Sequence, residues 1–128
     1  MTPGIKGHNE LTVTPELTAA HIGSGLAPVF ATPMMVSLME STCSDSVAPF
    51  LAEGESTVGT KVEITHDAAT PVGLKVWCDS ELIEVDRRRL VFSVKAYDPA
   101  GLIGQGIHER FIVDNAKFLA KVNQKLSL

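Results

Sequence analysis

Thr32, Glu40 and His66 are side chains of types that together can work on an acyl group. A carboxylate can attack a carbonyl carbon or take a proton from the water that does. An imidazole can protonate a leaving atom, and a hydroxyl can hold either group in position. The neighbouring residues say which element must carry each one. Thr32 followed by Pro33 marks a helix start, with a side-chain oxygen as cap and a ring pre-set for the first turn. Glu40 then lies about two turns into that helix. His66 closes the run Val62-Glu63-Ile64-Thr65-His66, which alternates as a half-buried strand does.

Each residue also has an ordinary reading. At helical period Met35, Val36, Met39, Cys43, Val47 and Phe50 gather on one arc, with Ser37, Ser41, Ser44 and Ala48 opposite. Glu40 falls at the edge of the apolar arc, so it is either a surface glutamate or a half-shielded acid or base. Thr32 is expected to cap the helix, and that role is compatible with a site, because free N–H groups at a helix start favour negative charge. His66 shares parity with Val62 and Ile64, which puts it on the core-facing side. A histidine there is either a hydrogen-bonded core residue or a catalyst. His108, within Gly106-Ile107-His108-Glu109-Arg110, also reads as buried or half-buried. No two histidines have metal-ligand spacing, and no metal site is expected.

The elements that must position these groups follow from the pattern. Residues 5–13 read as a first strand and 21–28, with two glycines and a proline, as a loop. The long helix is expected over 33–51. After Gly54 the period becomes alternating, with strands at about 55–67, 73–85, 89–98 and 102–113. Their links carry turn chemistry: Thr70-Pro71-Val72-Gly73, Asp86-Arg87-Arg88-Arg89 and Asp98-Pro99-Ala100-Gly101. Short links make successive strands antiparallel neighbours. A last amphipathic helix begins near Asp114 or Asn115. One antiparallel sheet wrapped on one long helix, an α+β architecture, covers the apolar surfaces most economically.

Composition narrows the function. A chain of 128 residues holds one domain, 1–128, and a hydrophobic share of 45% is enough to give it a core. A net charge of −4 without a long basic run argues against a nucleic-acid partner. Arg87-Arg88-Arg89 reads as a solvated hairpin tip. Cys43 and Cys78 form no C-x-x-C pair, which argues against a zinc ribbon, a redox motif or a disulfide scaffold. No run approaches the ~18 apolar residues of a membrane span, and no basic-then-apolar leader opens the chain. A cytoplasmic protein without a membrane partner is expected.

Four motifs in order then become familiar. The segment from Val29-Phe30-Ala31-Thr32 to Met39-Glu40 resembles the central helix of the fluoroacetyl-CoA thioesterase family. Val58-Gly59-Thr60, Ile64-Thr65-His66-Asp67-Ala68-Ala69-Thr70-Pro71 and His108-Glu109-Arg110 match the same family. Lys117 to Val122 is similar to its C-terminal segment. The resemblance implies a hotdog fold, a homodimer or higher homo-oligomer with sites at the subunit boundary, and hydrolysis of an acyl-CoA. It implies Thr32, Glu40 and His66 as catalytic residues and Gly59, Phe30 and Arg110 on the substrate side. Coenzyme A is then part of the substrate, with no separate cofactor.

A polyanionic coenzyme needs local positive charge, for which Lys61, Arg87, Arg88, Arg89 and Lys117 are candidates. One departure stands out. The family's selectivity for fluoroacetyl groups goes with phenylalanines in the loop before the helix, whereas Gly23-Ser24-Gly25-Leu26-Ala27-Pro28 has none. A short or medium acyl group is therefore expected without fluoroacetyl selectivity. The rival readings are a hotdog hydratase, whose usual aspartate and histidine near the helix start are missing here, and a non-catalytic acyl-CoA or small-ligand-binding hotdog.

Overall fold

The computed structural model describes residues 1–128 as strand β1 (Lys6–Thr12), a short helix α1 (Ala19–Ile22) and the long helix α2 (Thr32–Val47). Four strands follow, β2 (Glu55–His66), β3 (Lys75–Asp86), β4 (Arg89–Asp98) and β5 (Gly101–Asp114), and the helix α3 (Asn115–Asn123) comes last. All five strands form one antiparallel sheet in the order β1-β3-β4-β5-β2. Two-residue links join β3 to β4 and β4 to β5, so those strands are neighbours. β2 has no such link to β3 and pairs beyond β5, which leaves it as an outer edge.

α2 lies across one face of the sheet, mainly against β3 and β1. It buries Met35, Leu38, Met39, Thr42, Cys43 and Val47. Fully burying a large apolar side chain is worth about 1.5–3 kcal/mol, so this stripe anchors the core. The helix sits close on β1: a Cβ at Gly7 would come within 2.8 Å of the Thr42 carbonyl oxygen. The sheet wrapped on one helix is the α+β hotdog arrangement that the sequence implied.

Several local expectations change. The helix stops at Val47 and continues as a 3₁₀ turn, Ala48–Phe50, because Pro49 lacks an N–H and its ring clashes with the preceding turn. That turn swings Phe50 off the apolar arc to 58% exposure, while Leu38 and Thr42 take buried places. Val62 shares the sheet face of the buried His108 and Phe92, as its parity predicts, yet it is 41% exposed. Its strand is the sheet edge, and α2 covers mainly the β1 and β3 part of that same face. His21 and Ile22 belong to α1, and the rest of 23–28 is exposed loop. No helix is long and apolar enough to cross a membrane.

Candidate active site

The chain entering α2 is stitched to the segment that leaves β2. The Phe30 N–H donates to the Thr70 carbonyl at 2.8 Å, and Val29 bridges to Pro71. Thr70 is itself buried and donates its hydroxyl to Asp98 at 2.7 Å. These ties set the first residue of the helix beside the last residue of the strand, with Thr32 Oγ1 and His66 Nδ1 2.7 Å apart.

Thr32 is therefore not the cap that its position before Pro33 predicts. Ala31 occupies the cap position without a side-chain bond, and Thr32 is the first helical residue. One residue further in, the hydroxyl turns to the imidazole instead of to the backbone. No side chain caps this helix, so the positive end of its dipole stays available.

His66 Nε2 is buried and has no hydrogen-bond partner. Burial pushes the imidazole pKa down, against the opposing pull of the Ala68 backbone and the Asp67 carboxylate. When Nδ1 accepts the Thr32 proton, the neutral ring carries its hydrogen on Nε2 as an unused donor. Thr32, His66, Phe30, Val29, Ala19 and Ser24, with 67–69, line a cavity of about 280 Å³. Phe30 is almost fully buried, so it supplies the apolar wall of this cavity.

Glu40 faces a different place. Two turns further along α2 it borders a cavity of about 350 Å³ with Pro33, Ser37, Ser41, Ser44 and Arg110. The Arg110 guanidinium, only 7% exposed, lies 3.8 Å from the Glu40 carboxylate. It donates from Nε to Thr57 Oγ1 at 2.7 Å, from Nη2 to the Thr57 carbonyl at 2.9 Å, and from Nη1 to His108 Nε2 at 3.1 Å. Gly59 closes the group. A Cβ there would sit 3.0 Å from Glu40 Oε2, 3.3 Å from His108 Cε1 and 3.4 Å from Arg110 Nη1, so a side chain would crowd the carboxylate.

The six expected site residues thus fall into two groups, Thr32, His66 and Phe30 at one end of α2 and Glu40, Gly59 and Arg110 further along it. Glu40 makes no hydrogen bond to Thr32 or His66, and eight residues of helix separate it from Thr32 by about 12 Å. The sequence pattern does not single out Thr57, and it marks His108 as a buried or half-buried residue of the motif that contains Arg110 without giving it a role. The usable signal was the i, i+2 spacing of His108 and Arg110, which puts both on one face of β5.

Four of the five basic candidates for coenzyme A already hold carboxylates. Lys61 pairs with Glu63 and Glu109, Arg87 with Asp86, Arg88 with Glu55, and Arg89 with Glu84 and Glu109. Lys117 makes no ion pair.

Comparison with known proteins adds to this geometry. Residues 13–116 match the family described as fluoroacetyl-CoA-specific thioesterase. A fluoroacetyl-CoA thioesterase from Streptantibioticus cattleyicolor is 41% identical, over 98% of this chain and 94% of that protein. A solved structure of a fluoroacetyl-CoA thioesterase variant bound to fluoroacetate superposes with a TM-score of 0.92 at 40% identity, covering 98% of both chains. A thioesterase superfamily member from Thermus thermophilus superposes at 0.91 with 34% identity, covering 98% of this chain and 93% of its own.

Proposed function

From the premise that the chain belongs to the fluoroacetyl-CoA-specific thioesterase family, we propose that it hydrolyses a short or medium acyl-CoA to the free acid and coenzyme A. The observation that carries this reading is the Thr32–His66 hydrogen bond at the wall of an acyl-sized cavity, with a second ring nitrogen left without a partner. A non-catalytic ligand-binding domain has no need of an unused buried donor, since an unpaired polar group costs stability.

In the reaction, oxygen from Glu40 or from a water that it deprotonates adds to the thioester carbonyl. Hydrogen-bond donors and the uncapped start of α2 favour the negative charge that develops on the carbonyl oxygen. The neutral His66 ring donates its Nε2–H as a hydrogen bond to the charge developing on the sulfur, with Thr32 keeping the ring oriented. Coenzyme A leaves as a thiolate that takes its proton from the Glu40 acid of the water route or from solvent. In the direct route a water then hydrolyses the Glu40 acyl anhydride to the free acid.

Assembly into a homodimer supports this scheme by bringing the two groups together. β2 is the longer free edge of the sheet, and its middle from Gly59 to Glu63 is exposed. Antiparallel pairing of two such edges, centred near Val62 and Glu63, would set Gly59 and Glu40 opposite the partner's His66. It would also cover an edge that natural proteins protect. The two cysteines are buried free thiols, which fits a reducing cytoplasm.

The test is a panel of short and medium acyl-CoAs mixed with the purified protein and a thiol-detecting reagent. Release of free thiol at catalytic turnover is expected. Saturable binding without release would establish the ligand-binding module instead.

A further inference from the structure

His108 is buried to 1% exposure, and the proposed chemistry leaves it unused. Its two ring nitrogens are both committed. Nδ1 lies 2.8 Å from the Lys61 carbonyl oxygen, and Nε2 lies 3.1 Å from Arg110 Nη1. A carbonyl can only accept and a guanidinium can only donate. The ring therefore carries its hydrogen on Nδ1, keeps a bare lone pair on Nε2 and is neutral.

We propose that His108 is a positioning residue: its Nε2 lone pair, aimed by the Lys61 carbonyl, fixes the Arg110 guanidinium, and Arg110 in turn holds the Glu40 carboxylate over Gly59. The proposal rests on the reading of Glu40 given above. Three strands converge to make the relay. Thr57, Gly59 and Lys61 come from β2, His108 and Arg110 from β5, and the Phe92 ring of β4 stacks on His108 with centroids 6.3 Å apart. The Arg110 fork has three of its five hydrogens on fixed acceptors, Thr57 twice and His108 once, so it is a rigid platform. The Nη1 atom that His108 holds is also the one nearest the Glu40 carboxylate, at 3.8 Å. Loss of that acceptor frees the edge of the fork that faces the carboxylate.

Protonation of His108 would turn the acceptor into a second donor aimed at the guanidinium. Burial is the main force against it, joined by the Arg110 charge, while the Lys61 carbonyl, Glu40 from α2 and Glu109 on β5 favour the proton. A ring held neutral in this way is a pH-dependent support. Glu40 is held correctly while His108 is neutral and is released when it gains a proton.

Two measurements test the proposal on the full-length protein. In ¹⁵N-labelled protein, the His108 ring is expected to show the Nδ1–H tautomer and to remain neutral near pH 6, where a free histidine takes up its proton. An Nε2–H tautomer, or titration like a free histidine, would overturn the relay. In kinetics, His108→Gln keeps an acceptor and His108→Phe has none. The expected losses in kcat are about 10-fold for Gln and up to about 10²-fold for Phe, with KM within about threefold, as for a misplaced reacting group. The acid limb of the wild-type profile should also move in His108→Gln. If His108→Phe fails to fold, the tautomer and the His108→Gln profile still decide. Wild-type kcat and pH profile in His108→Gln, where Glu40→Gln is inactive, would defeat the relay alone. Full activity in Glu40→Gln would defeat the reading of Glu40, and the kinetic part of the proposal with it.

Discussion

The two ends of α2 solve the placement of a functional group differently. At the Thr32 end, one hydrogen bond joins a helix start to a strand end, and local backbone ties hold the two side chains together. At the Glu40 end, the carboxylate makes no hydrogen bond of its own, and a buried guanidinium fixed by three bonds to Thr57 and His108 backs it. The first group is light and open to a ligand. The second is a rigid buried frame presenting one half-exposed acid. Groups that donate or relay protons can tolerate adjustment, whereas the oxygen that meets the carbonyl must be placed to within a fraction of an ångström.

The largest expected effect falls on the framed acid. Glu40→Gln keeps its shape and removes the base or nucleophile, so kcat should fall by about 10²-fold or more with the fold intact. A folded variant with near-wild-type turnover in the thiol-release assay would reverse the contrast drawn here. Single turnover in H₂¹⁸O sharpens it, since label found in the Glu40 carboxylate would identify the covalent route.

At the lighter end, Thr32→Val removes the hydroxyl and keeps the volume. A loss of about 10-fold in kcat is expected, smaller than that of Glu40→Gln. On the proposed scheme Thr32 acts through His66, so the double variant with His66→Gln should lose little more than His66→Gln alone. Strict additivity in that cycle would show that the 2.7 Å contact has no part in turnover.

A smaller effect concerns stability against pH. Burial lowers the pKa of both His66 and His108 below the ordinary 6.5, so below that pH the unfolded chain binds more protons than the folded one. Stability is then fully present above about pH 6.5 and declines as pH falls toward the folded values. His8, raised by its hydrogen bond to Asp79, works in the opposite direction, but its side chain is half exposed and screened. The melting temperature should be lower at pH 5.5 than at 7.5, and His108→Gln should flatten that slope more than His8→Gln alters it. An unchanged slope in His108→Gln would mean that its burial has no linkage to folding.

The smallest effect is expected in selectivity. Of the loop from Gly23 to Pro28 only Ser24 lines the Thr32–His66 cavity, and Leu26 points away at 97% exposure. Such a wall offers little to tell fluorine from hydrogen, since a whole methylene is worth only about 1–3 kcal/mol in a pocket. The kcat/KM values for fluoroacetyl-CoA and acetyl-CoA should lie close together. A ratio above about 10⁴, or ~5.5 kcal/mol, would show that selectivity arises elsewhere in the site.

The sequence by itself determined the order of elements and the long helix, and it singled out the candidate site side chains. Periodicity and turn residues act over a few positions, so the change of period after Gly54 and the link Asp86-Arg87-Arg88-Arg89 were legible without coordinates. The motifs marked Thr32, Glu40, His66, Gly59 and Arg110 individually, but not which of them touch. Tertiary structure alone decided that Thr32 bonds His66 instead of capping its helix, because the choice depends on a strand that ends 34 residues later. Only the folded sheet put His108 between Lys61 and Arg110, since its partners come from β2 and from its own strand two residues on. The exposure of Val62 was equally beyond reach of parity. Alternation tells which residues share a face, and only the packing of α2 against β3 and β1 tells which part of that face is covered.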